Sequence, residues 1–138
     1  MSYDDDNVFA RILRGEIPCA RVYEDADTLA FMDAGQVNPG HVIVASRHPC
    51  ATILDMTDDQ AAALFRTAAK VARAVEAAFK PAGITILQAN RPAGWQTVPH
   101  VHLHVLPRHD DDGVGLTWPR KEPGFEALRE LAAQIRVA

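Results

Sequence analysis

The chain has 138 residues, 48% of them hydrophobic and 23% charged, with a formal net charge of −4. That length predicts one domain, and that apolar fraction supplies a real core. The acidic balance argues against a broad grip on DNA or RNA, which needs a basic face, but it leaves room for a small anionic ligand held locally.

Residues 1–7 are polar and predicted to be loose; the acidic start MSYDDDNVF is unlike a secretory leader, which is basic and then apolar. Residues 8–14 predict a short helix with Val8, Phe9 and Ile12 on one side and Gly15 as its stop. Arg21–Glu24 and Thr28–Met32 read as strands around the turn Asp25-Ala26-Asp27. Asn38-Pro39-Gly40 is a turn signal, and His41–Ala45 a buried strand. A long helix follows, capped by Thr57 or Asp58 and ended by Pro81. Its apolar stripe is Ala61, Leu64, Phe65, Ala68, Val71, Ala72, Val75, Ala78 and Phe79. Ile84–Asn90 predicts a strand, broken by Pro92-Ala93-Gly94; Val98–Leu106 predicts another, and Asp110–Gly113 a solvated turn. A last helix is expected over 124–136 with Phe125, Leu128, Leu131, Ala132 and Ile135 inward. Five strands in hairpins around one long helix predict an α+β fold with a mainly antiparallel sheet. No apolar run approaches the ~20 residues that cross a bilayer. Cys19 and Cys50 make no C-x-x-C pair and no disulfide framework, so a cytoplasmic location is expected.

The candidate chemistry lies in His100-Val101-His102-Leu103-His104. Strand periodicity puts the three imidazoles on one face and Val101, Leu103 and Val105 on the other. Spacing alone leaves a solvated polar stripe, a metal site, a pH switch and a catalytic group all open. His41, His48 and His109 are further imidazoles that tertiary structure can bring in. The context favours catalysis: Gly94-Trp95-Gln96-Thr97 precedes the stripe, and a glycine loop beside hydrogen-bonding side chains suits phosphate oxygens. Asn90 adds another amide.

This pattern resembles the histidine triad (HIT) family, with its alternation of three histidines and apolar residues and its Gly-x-Gln-Thr-Val lead-in at residues 94–98. Phe9 to Ile12, Gly15-Glu-Ile-Pro18, Val22-Tyr-Glu-Asp25, Leu29-Ala-Phe-Met-Asp33 and Asn38-Pro-Gly-His41 resemble the family in order, in its bacterial Hint-like branch. The resemblance covers about residues 7–108 and leaves 109–138 as a C-terminal extension of a single domain. It implies a homodimer that acts on nucleotides at the α-phosphate, with His102 as nucleophile, His104 on phosphate oxygen and His100 supporting His102. Gln96 and Thr97 are expected on the phosphate or leaving-group side, with Asn90 beside them. Asp33 is expected on the ribose hydroxyls, and Phe9, Ile12, Ile17 and Phe31 around a purine base. A phosphoramidate or related conjugate is the expected substrate. The alternatives are a dinucleoside polyphosphate hydrolase, a nucleotide-binding module with weak catalysis, and a metal-binding protein. No cofactor is implied. Relatives in this branch hold structural zinc with a Cys-x-x-Cys pair and two histidines; here Asn7 and Ala10 stand at the cysteine positions, so no metal is expected with His48 and His100.

Overall fold

Asn7 starts the first helix because its side-chain oxygen accepts the Ala10 N–H at 2.9 Å, satisfying one of the donors a helix leaves open. In the computed structural model, which describes residues 3–135 and 137, this helix α1 runs Val8–Leu13, and Gly15 follows at φ +79°. Its buried side is Phe9 and Ala10; Val8 is exposed. Of the segment 1–7 expected to be loose, Met1 and Ser2 lie outside the described residues, and the rest is tied down. Within 3–7, the Asn7 amide donates to the Tyr3 hydroxyl at 3.0 Å and to the Asp4 carbonyl at 2.9 Å.

Strands β1 (Arg21–Glu24), β2 (Thr28–Met32) and β3 (Val42–Ser46) form a meander. Helix α2 (Asp58–Phe79) then crosses to β4 (Gly83–Gln88), which turns back into β5 (His102–Arg108). The sheet order is β1-β2-β3-β5-β4, antiparallel throughout. No helix among the described residues is long and apolar enough to cross a membrane.

Helix α2 begins with a reciprocal cap between Thr57 and Gln60 and ends at Lys80, ahead of Pro81. Leu64, Ala68, Val71 and Val75 lie on the sheet against Ala30, Val42, Val44, Val101, Leu103 and Val105. The buried face is rotated from the stripe read from the sequence: Ala63 and Thr67, outside the stripe, are buried, while Phe65 and Phe79 are each nearly half exposed. The buried line 64, 68, 71, 75 follows the helix axis, and Phe65 stands one step, about 100°, off it.

The opposite sheet face carries Leu29, Phe31, Ile43 and Ala45 in a second cluster with Phe9, backed by Ile12, Leu13, Cys19 and Val98. On β5, His102 pairs with Ala45 and His104 with Ile43, so both imidazoles share this second face. Strand alternation therefore separates core from chemistry as the sequence predicts.

Three expectations need correction. The last strand begins at His102, not Val98: Pro99 has no N–H for a ladder, and residues 98–100 make a tight bend closed by His100 N–H to the Val98 carbonyl at 2.8 Å. Residues 110–113 are not simply a solvated turn: the Asp112 side chain is 5% exposed and accepts from Arg108, Asn38 and the backbone of His109 and Val114. Helix α3 (Phe125–Gln134) forms, but Phe125 (74% exposed), Leu128 (51%), Leu131 (49%) and Ile135 (74%) point outward, because no apolar surface among the described residues covers them. Arg136, in the expected helix range, lies outside the described residues.

Candidate active site

The second face of the sheet is hollow. A cavity of about 510 Å³ is lined by Phe9, Ile12 and Ile17 from the N-terminal segment and by Phe31 and Asp33 from β2 and its end. Thr97, His102 and His104 close it from the other side. All four apolar residues expected around a base are therefore in one pocket, with the carboxylate, the threonine and two of the three histidines. His100 is not; it is 1% exposed and lies behind.

Hydrogen bonds fix which nitrogen of each ring carries hydrogen. His102 Nδ1 lies 2.6 Å from the His100 carbonyl, a pure acceptor, so Nδ1–H donates and Nε2 keeps its lone pair. The edge of the Phe9–His102 pair is perpendicular at a centroid distance of 4.8 Å, which holds the imidazole plane. His41 Nδ1 accepts the Val37 N–H at 3.3 Å, so His41 Nε2 bears its hydrogen. That nitrogen lies 2.9 Å from His104 Nδ1, to which it donates, and 3.2 Å from Asp33 Oδ2. His104 Nδ1 is then an acceptor, and its hydrogen sits on Nε2. His102 and His104 thus expose complementary groups, a lone pair and an N–H, on rings 5.0 Å apart.

Burial pushes the pKa of all four imidazoles below the ordinary histidine value. His104 falls furthest, to about 4, through burial and then the neighbouring His102 and His41, with Asp33 opposing. At His102, burial outweighs the His100 carbonyl and the Asp33 charge; at His100, burial outweighs the bond to Ser46. The cluster is neutral near pH 7, the state in which an imidazole nitrogen attacks phosphorus.

The two amides sit elsewhere. Gln96 donates to the Ala51 carbonyl at 2.7 Å and accepts the Arg91 N–H at 2.6 Å. Asn90 accepts the Ile53 N–H at 2.8 Å and exchanges two hydrogen bonds with Gln88. Both tie the 91–97 loop to the segment after β3, and neither lines the cavity. Trp95, at φ +77°, and Trp118 are exposed.

His41, one of the imidazoles to which the sequence assigns no role, is carried by the Asn-Pro-Gly-His run, whose turn delivers it to the start of β3 beside His104. Asp33, His41 and His104 also place three ligand-type atoms within 4.8 Å of one another, an imidazole–carboxylate set of the kind that suits zinc. The structural-zinc positions of the family do not fit a metal. Asn7 caps α1, His48 Nε2 bonds Asp27 at 3.0 Å, and His100 uses both ring nitrogens, on Ser46 and Tyr3.

The family model of the HIT domain matches residues 14–111. The chain belongs to the HIT family. It is 38% identical over 131 residues to protein hit of Bacillus subtilis, covering 93% of this chain and 90% of that one. It is 30% identical over 129 residues to the adenosine 5′-monophosphoramidase of Schizosaccharomyces pombe, covering 93% and 94%. The crystal structure of a HIT family protein from Bacillus anthracis superposes with a TM-score of 0.90 at 35% identity, over 96% of each chain.

Proposed function

We propose that this nucleotide hydrolase of the HIT family cleaves purine nucleoside phosphoramidates, or related conjugates, at the α-phosphate through a nucleotidyl intermediate on His102. The observation that carries the reading is the 2.6 Å bond from His102 Nδ1–H to the His100 carbonyl, which leaves the Nε2 lone pair on a ring that lines the cavity. In the first step Nε2 bonds to the α-phosphorus, the bond to the leaving amine breaks, and the amine takes a proton from solvent. The positive charge on the imidazole is shared with the His100 carbonyl. In the second step water adds to phosphorus and gives a proton to solvent, the P–N bond breaks, and the nucleoside monophosphate leaves with His102 neutral again. His104 donates from Nε2 to the phosphate oxygens as charge builds there. Thr97 contacts the phosphate or leaving group, and Gln96 and Asn90 hold its loop. Asp33 takes the ribose hydroxyls. Phe9, Ile12, Ile17 and Phe31 grip the base by apolar contact, which discriminates weakly between adenine and guanine. The naming of an S. pombe relative for adenosine monophosphoramidase activity supports the phosphoramidate.

The chain is one domain, with its core over 7–108 and an extension over 109–138, and it works as a cytoplasmic homodimer. The unpaired thiols Cys19 and Cys50 support the compartment. The exposed apolar residues of α3 and of the edge strand β4, where Ile86 is outward, support a second copy.

The test is a panel of nucleoside phosphoramidates, dinucleoside polyphosphates and aminoacyl adenylates, with rapid denaturation and peptide mapping for a nucleotidyl group. Turnover of the phosphoramidate with the adduct on His102, and loss of both in His102→Gly, is expected. Binding of AMP with no turnover anywhere in the panel makes the chain a binding module instead.

A further inference from the structure

The geometry points to Tyr3 as a positioning residue for the reaction at His102: its hydroxyl fixes the ring of His100, and with it the carbonyl that orients the nucleophile. This rests on the nucleotidyl-transfer reading above.

Ser46 offers His100 Nε2 a carbonyl at 2.6 Å, which accepts only, so the hydrogen of this neutral ring is on Nε2. His100 Nδ1 is therefore bare, and the Tyr3 hydroxyl 2.6 Å away must donate to it. The Tyr3 oxygen in turn accepts from Asn7 Nδ2 at 3.0 Å, while Asn7 Oδ1 caps α1. The donors run in one direction, Asn7 to Tyr3 to His100 to Ser46, an order in which each bond polarises the next. The Tyr3 and His100 rings also meet edge to face, 5.6 Å apart. Burial raises the Tyr3 pKa, which keeps its hydroxyl a donor through neutral pH.

The ring matters because only isolated bonds hold the backbone beside it: His100 N–H donates to the Val98 carbonyl at 2.8 Å, and Val101 N–H to the Cys50 carbonyl at 2.8 Å. β5 begins only at His102, and residues 98–100 form the bend after Pro99. The His100 carbonyl, which accepts from His102 Nδ1 at 2.6 Å, hangs on a residue whose anchors include both nitrogens of its own side chain. At 1% exposure His100 is shut off from solvent while Tyr3 is in place. Without the hydroxyl, the ring turns or changes tautomer to satisfy Nδ1, and the carbonyl moves with it. Displacing a reacting group by about 1 Å costs on the order of 10²-fold, so a shift of about half an ångström costs roughly tenfold.

The test is Tyr3→Phe in the full chain, which removes one oxygen. With AMP phosphoramidate, kcat is expected to fall about tenfold at unchanged KM, because Tyr3 does not line the cavity. Imidazole ¹⁵N spectra without substrate should show His100 Nδ1 losing its hydrogen bond and the His102 Nδ1–H signal moving to a weaker bond. Asn7→Ser, which keeps a helix cap but loses the donor to Tyr3, should move the same signals by less. A wild-type kcat in Tyr3→Phe overturns the proposal, as do unmoved His100 and His102 signals in both variants. If the wild-type chain shows neither turnover nor a His102 adduct, the hydrolase reading fails, while the spectra still decide the link from Tyr3 to His102.

Discussion

Replacing His41 by leucine removes a ring of similar bulk and the one donor that holds the His104 tautomer. In the native chain His41 Nε2–H donates to His104 Nδ1 at 2.9 Å, and this places the His104 hydrogen on Nε2. In His41→Leu the Asp33 carboxylate, 3.8 Å from His104 Nδ1, becomes that nitrogen's nearest partner. The hydrogen then moves to Nδ1 to meet the charge, and Nε2 loses its donor. A hydrogen bond to a charged group is worth about 1.5–3 kcal/mol, so the productive tautomer becomes a minority by roughly 10- to 150-fold. We expect kcat on AMP phosphoramidate to fall by about 10- to 100-fold. His41→Gln, which keeps an N–H near the same place, should recover most of the loss. Steady-state kinetics of both variants and the His104 ¹⁵N shifts provide the assay. A kcat within twofold of wild type in His41→Leu, or equal losses in leucine and glutamine, refutes the argument.

Two further outcomes follow from burial and packing. His104 falls to about 4 in the folded chain from 6.5 when free, and His100 and His102 are lowered too. Below pH 6.5 the unfolded chain therefore binds protons that the folded one does not. Stability should be flat above that pH and decline toward pH 4, with His104 alone contributing a slope of up to about 1.4 kcal/mol per unit. Urea midpoints between pH 8 and 4.5 measure it, and His104→Gln should flatten the decline; an identical profile in that variant counts against the assignment. Gly40 stands at φ +105°, and a Cβ there would lie 2.8 Å from the Phe79 ring, so Gly40→Ala should cost about 1–3 kcal/mol. Adding Phe79→Ala should relieve the contact but not the backbone strain, and a double-mutant cycle with no coupling would dispose of the clash.

Much of the architecture is written in local patterns. Period-two alternation in His102–Val105 separates two imidazoles from the core because successive strand side chains must oppose. Helix α2 is legible because its stripe, its Thr57 cap and Pro81 agree. The error at Val98–Val101 arose because alternation continues through a Pro99 bend that breaks the ladder, and the error at α3 because an apolar stripe does not say what covers it.

The family, the three histidines and the pocket's apolar residues with Asp33 are legible in the chain because they lie in contiguous, ordered motifs. The state of each imidazole comes from the folded chain. His41 meets His104 from 63 positions away and Tyr3 meets His100 from 97, and neither spacing repeats any helix or strand period. A histidine's role depends on which nitrogen carries hydrogen, and that is set by the partner the fold brings to its other nitrogen.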